Sequence, residues 1–154
     1  RVSELVGINL DDIKKDMLTV TGKGNKERIV YLNDACRAAI DLYLPVRSKY
    51  APDSEPALFV SQRKKRISPV TVKWIVKNRI EKAGLDTQKY SAHKLRHTAA
   101  TLMYQNGVDI LTLKEILGHK NLNTTEIYTH LSGEDLRRAA DANPLANVKR
   151  TKKE

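Results

Sequence analysis

His93 and Arg96 lie three residues apart in the segment Ser91-Ala92-His93-Lys94-Leu95-Arg96-His97. On a helix that spacing puts a proton acceptor and a permanently charged phosphate clamp on one face. Leu117-Gly118-His119-Lys120 sets a second histidine just past a glycine able to end a helix, where the chain turns and a side chain can reach a cleft. Thr124-Thr125-Glu126-Ile127-Tyr128-Thr129-His130 carries a tyrosine in a polar setting. Lys23, within Gly22-Lys23-Gly24-Asn25, would ride the tip of a turn. Read singly, each has an ordinary explanation. His-x-x-Arg is a common solvated pair, a histidine after a glycine is a usual turn residue, and a tyrosine most often packs half-buried. Gly-Lys-Gly-Asn is a good plain turn; it is not a nucleotide loop, because the G-x-x-x-x-G-K-[ST] spacing is absent.

These residues need elements to hold them. Residues 2–7 read as the end of a helix. Met17–Gly22 and Glu27–Leu32 alternate apolar and polar around the Gly-Lys-Gly-Asn centre, which predicts a β-hairpin. Asn33 can cap a helix whose apolar positions Cys36, Ala39, Ile40, Tyr43 and Val46 follow a 3.6-residue period to about Tyr50, with Pro45 as a kink. Pro52–Pro56 reads as a loop, Leu58–Val60 as a short strand and Gln62–Arg66 as a basic connection. Ser68 then Pro69 open a helix with Val70, Trp74, Ile75 and Ile80 as its apolar face, ending at Gly84. A further helix is expected from about Ala92 to Asn106, stopped by Gly107. Shorter ones are expected over Asp109–Leu117, Thr124–Thr129 and Gly133–Ala142. The fold class is therefore α+β, mainly α-helical, with a small antiparallel sheet.

Composition narrows the partner. The 154 residues are 40% hydrophobic, enough for one domain with one sizeable core. Lys and Arg total 28 against 18 Asp and Glu, a formal net charge of +10 that implies a polyanion. Nucleic acid fits better than a membrane, because no apolar run approaches the roughly 18 to 20 residues of a spanning helix. Arg1-Val2-Ser3-Glu4-Leu5 shows no secretory leader, so a cytoplasmic location is expected. Cys36 is the only cysteine, which excludes an internal disulfide and a cysteine-rich zinc site; among Ala35, Ala39 and Ile40 it is expected in the core.

Taken together, His93, Arg96, His119 and Tyr128 with their flanking residues resemble the signature of the tyrosine recombinases, a family that includes phage-type integrases and the Xer resolvases. So do their separations, Arg1-Val2-Ser3-Glu4-Leu5 at the start, and Gly22-Lys23-Gly24-Asn25-Lys26-Glu27-Arg28 in the hairpin. The resemblance runs from Arg1 to about Leu131, and the connection from Arg1 to the hairpin, shorter than in Xer-like relatives, implies a tight turn near Asp16. It implies a catalytic domain over residues 1–148, a solvated tail over 149–154, and a separate DNA-clamping domain before Arg1. It makes Tyr128 the nucleophile, Arg1 and Arg96 the phosphate clamp, Lys23 the hairpin lysine, and His93 and His119 the two active-site histidines.

The residue types suit those roles. A free phenol of pKa about 10 is only about one part in a thousand ionised at pH 7, so attack on a phosphodiester needs a base or a strong positive field. His93 can take or share the proton, and each guanidinium aimed at the charged oxygens is worth about a hundred to a thousandfold in rate. Lys23 can protonate the departing deoxyribose oxygen, worth about a hundred to ten thousandfold. The phosphotyrosyl bond stores the phosphodiester energy, so resealing needs no cofactor. No metal is expected either, since His-Glu-x-x-His spacing and a carboxylate cluster are lacking.

The implied partners are double-stranded DNA and further copies of the chain, as a homotetramer on DNA. Lys26, Arg28, Arg63, Lys64, Lys65, Lys94 and Lys120 are candidates for phosphate contacts, although a Lys/Arg run is usually a solvated surface. Two rival functions stand beside the recombinase. A type IB topoisomerase uses a similar Arg, Lys, His and Tyr set, and a DNA-binding remnant of a mobile element would bind without cleaving.

Overall fold

The computed structural model describes residues 1–22, 24–118 and 133–143. After Arg1 the chain enters α1 (Val2–Gly7), then a single 3-10 turn at Leu10–Asp12. Three antiparallel strands follow in sequence order, β1 (Ile13–Lys14), β2 (Met17–Thr21) and β3 (Glu27–Tyr31). Lys14 pairs with Met17 across a two-residue turn in which Lys15 takes a φ of 56°. The tight turn expected near Asp16 thus joins an extra strand, β1, too short for an alternation pattern to reveal. On β2 the period of two works as anticipated: Leu18 and Val20 point into the core, while Thr21 is exposed.

Leu18 and Val20 pack with Ile8 and Leu58 in a core flanked by Ile13, Val30, Leu32, Leu44 and Phe59. The expected strand at 58–60 is not one. Ala57 and Val60 make isolated bridges to Asn9 and Arg66, and the Leu58 amide donates to the Ile8 carbonyl at 2.9 Å. These contacts lash the loop to the segment after α1 without forming a ladder.

α2 (Asp34–Tyr50) begins at Asn33, whose side chain accepts from the Cys36 amide at 3.0 Å, and it runs through Pro45. Its inward face is offset from the expected one. Cys36 and Val46 are exposed, whereas Tyr43 and Leu44 reach the core beside Phe59 and Arg47 is buried. Arg47 donates through Nε and Nη2 to the Ala57 carbonyl at 3.0 and 2.8 Å, and through Nη2 to the Glu55 carbonyl. A buried guanidinium that satisfies loop carbonyls occupies space that an apolar pattern would assign to Val46.

α3 (Pro69–Lys82) starts as expected, with Ser68 accepting from the Thr71 amide at 3.1 Å. Of its anticipated apolar face only Ile80 is buried; Val70 is 75% and Trp74 63% exposed. α4 (Ala92–Gln105) is capped by Ser91, and Gly107 turns the chain at a φ of 88°. α5 (Ile110–Leu117) is capped by Asp109, which accepts from the Leu111 and Thr112 amides at 2.9 and 3.0 Å. It ends at Gly118, which is left-handed with φ 62°.

α6 (Gly133–Asp141) closes a second core in which Met103, Val108, Leu113 and Ala139 are buried. It also leans on the sheet. Arg137 pairs with Asp16 at 2.7 Å and lies over the Tyr31 ring, and the Asn33 amide donates to the Ala140 carbonyl at 3.2 Å. The helix expected over Thr124–Thr129 and the tail expected over 149–154 lie outside the described residues.

Candidate active site

α1 presents Arg1 at its start and Glu4 one turn later, and the Glu4 side chain is buried where α1 meets β2. Two guanidiniums converge on that carboxylate. Arg1 Nη1 lies 2.6 Å from Oε1, and Arg28 of β3 forks across both oxygens, with Nη1 3.1 Å from Oε1 and Nη2 3.0 Å from Oε2. Burial pushes the Glu4 carboxyl up, but hydrogen bonds from Arg28 and Arg1 outweigh it and hold the group well below the usual carboxylate range.

The same guanidiniums, joined by Arg96 of α4, reach the end of α5. Arg28 Nε donates to the Ile116 carbonyl at 3.4 Å, Arg96 Nη2 to Leu117, and Arg1 Nη2 to Gly118 at 2.8 Å. Three successive carbonyls, left without helical partners at a C-terminus, each receive a different arginine. The turn that delivers His119 is therefore held from three directions. Arg96 has its pKa lowered, first by burial and then by the charge of Arg1, with Glu4 opposing and Arg28 adding to it. One carboxylate facing three guanidiniums leaves the cluster with excess positive charge, which an arriving anion relieves.

His93 sits one turn before Arg96 on α4 with its side chain exposed, as does Lys94. Lys26 is exposed at the hairpin, and Arg63, Lys64 and Lys65 are exposed on the turn after Ser61. Lys23, His119, Lys120 and Tyr128 lie outside the described residues. The neighbours of two of them are described. A Cβ at Gly22, just before Lys23, would lie 3.5 Å from Arg28 Nη1 and 3.6 Å from Glu4 Oε1; one at Gly118, just before His119, would meet the Arg28 guanidinium at 3.0 to 3.2 Å.

Arg28, named as a candidate phosphate contact, is turned largely inward. Its side chain is only 15% exposed, against 39% for Arg1. The signal was present in the strand: Arg28 shares parity with Val30, which packs on the core, so the pleat turns both inward. Glu4 was quoted only as part of a motif. Its position one turn after Arg1 on a helix was the available clue.

A family model described as the phage integrase family matches residues 1–135. The chain belongs to that family of tyrosine recombinases. Tyrosine recombinase XerC of Caldanaerobacter subterraneus subsp. tengcongensis is 60% identical over 147 residues, covering 95% of this chain and 42% of that protein. The crystal structure of XerA recombinase superposes with a TM-score of 0.72 at 38% identity, over 90% of this chain and 51% of that one. XerH site-specific recombinase, in a post-cleavage complex with a palindromic difH substrate, superposes with a TM-score of 0.68 at 32% identity over 92% of this chain and 41% of that one. The chain thus spans about half the length of the relatives it matches. The α+β recombinase core expected from the residues is the fold observed. Among the described residues no helix is long and apolar enough to cross a membrane.

Proposed function

We propose that the chain cleaves and rejoins DNA strands in site-specific recombination. The Tyr128 hydroxyl passes its proton to His93 as its oxygen attacks the scissile phosphorus, the bond from phosphorus to the 5′ oxygen breaks, and Lys23 gives that oxygen a proton. The product is a 3′-phosphotyrosyl bond and a free 5′-hydroxyl. In rejoining, a partner strand's 5′-hydroxyl attacks the phosphorus and the tyrosine oxygen leaves, recovering a proton. Arg1 and Arg96 stabilise the non-bridging oxygens, and His93 and His119 share protons at the reacting centre.

The observation that carries this reading is the convergence of Arg1 and Arg96 on the turn entering His119, within a cluster of excess positive charge. Each guanidinium has five N–H donors and, among the described residues, spends only part of them on protein acceptors, which leaves donors for phosphate. The DNA-bound XerH structures support DNA as the partner. Tetramer assembly on DNA and a cytoplasmic location belong to the same proposal, as do phosphate contacts by Lys26, Arg63, Lys64, Lys65, Lys94 and Lys120.

A nicked suicide DNA substrate tests it in the complete protein. Wild type should accumulate a covalent adduct, and Tyr128→Phe should abolish the adduct while duplex affinity stays within a few-fold. Adducts from Tyr128→Phe would refute the assignment of the nucleophile. Synapsis of two sites separates a recombinase from a topoisomerase, which relaxes DNA without a partner site.

A further inference from the structure

We propose that Arg28 is a positioning residue of the strand-transfer site, the strut that sets the Lys23 hairpin and the His119 turn at a fixed separation, and not a phosphate contact. The inference rests on the roles assigned above to Lys23 and His119. Arg28 stands on β3 at the root of the hairpin, with its side chain turned inward and mostly buried. Three of its five N–H groups bond Glu4 Oε1, Glu4 Oε2 and the Ile116 carbonyl, so the fork is committed across the carboxylate and the helix end.

The backbone on either side explains why a planar fork is needed. A Cβ at Gly22 would lie in van der Waals contact with both Arg28 and Glu4, and the Gly22 amide donates to the Lys26 carbonyl at 2.8 Å. Gly118 lies against the guanidinium itself, closely enough that a Cβ there would press on it. The residues after these two glycines are Lys23 and His119. Arg1 is tied to the same carboxylate, and Arg96 feels the Arg28 charge. A displacement of Arg28 would therefore shift the general acid, one histidine and the clamp together, and misplacement by about 1 Å can cost about a hundredfold in rate.

The test compares Arg28→Met, Arg28→Lys and the pair Glu4→Gln/Arg28→Met in the complete protein. At saturating suicide DNA, Arg28→Met should cleave about a hundredfold more slowly with affinity within a few-fold. Arg28→Lys, which keeps the charge but cannot span Glu4 and Ile116, should recover part of the rate. The slope of log K against log salt should stay at the wild-type value, whereas loss of a phosphate contact would flatten it by about 0.9. Amide exchange at Gly22 and Gly118 should accelerate in Arg28→Met while Val108, bonded to Met103 in the second core, keeps its protection. The double variant removes the Arg28–Glu4 charge pair as a whole, where the single variant leaves the Glu4 carboxylate to Arg1 alone of the two guanidiniums, and it should cleave as slowly. A flattened salt slope, or wild-type cleavage with unchanged exchange in Arg28→Met, overturns the proposal. If wild type forms no adduct, the strand-transfer reading falls, and the salt slope and exchange still decide whether Arg28 is a strut.

Discussion

Replacing Glu4 by Gln removes one oxygen's charge from beneath the arginines and nearly no volume. The folded carboxyl titrates at about 2 against an ordinary value of 4.5, and each pKa unit corresponds to about 1.4 kcal/mol. The charged form thus stabilises the fold by about 3 kcal/mol at neutral pH, the lower end of the cost of breaking a buried ion pair. Because the folded pKa is depressed, this stability is complete above 4.5 and disappears as pH falls toward 2. Urea unfolding followed by circular dichroism at pH 7, 5, 3 and 2 measures it. Wild type should exceed Glu4→Gln by about 3 kcal/mol at pH 7 and 5, and the gap should close between pH 4.5 and 2. At this chain length that gap corresponds to about 6 to 12 °C in Tm. A gap under about 1 kcal/mol at pH 7, or one that does not change between pH 5 and 2, would show that the carboxylate does not carry the charge balance of the cluster.

Gly118→Ala must hold a left-handed backbone at φ 62° and place its Cβ 3.0 Å from the Arg28 guanidinium carbon. Thermal melts should show a loss of about 2 kcal/mol, and cleavage should slow more than binding weakens; a neutral substitution would mean the turn is free to shift. Arg47→Met leaves the Ala57 and Glu55 carbonyls without their donor, and urea unfolding should register a loss of about 3 kcal/mol with DNA affinity unchanged. Lys23→Ala should bind normally and cleave slowly, and a sulfur leaving group, which needs little protonation, should restore much of the rate. Arg96→Ala should show no such rescue, because its donors act on the non-bridging oxygens; the opposite pattern would reverse the two roles.

What was legible in the chain is what local physics decides. Asn33 and Ser68 were readable as caps because each satisfies the amide three residues on, and Gly107 and Gly118 as stops because glycine enters the left-handed region without a Cβ clash. The β2–β3 hairpin followed from alternation on both sides of a glycine-rich turn. The family was legible from the candidate site residues as a set, since their types and separations matched a signature that single residues could not establish. Tertiary structure alone decided which side chains the core accepts. Cys36, Val70 and Trp74 are apolar yet outside, because the packed faces of α2 and α3 are set by what lies against them. Arg47 and Arg28 are charged yet inside, because loop and helix-end carbonyls there need donors. The convergence itself joins positions 88 and 117 residues apart, Arg28 to Ile116 and Arg1 to Gly118. No window of sequence contains both partners of such a contact, and only the folded chain, by bringing α5 against α1 and β3, gives those guanidiniums their acceptors.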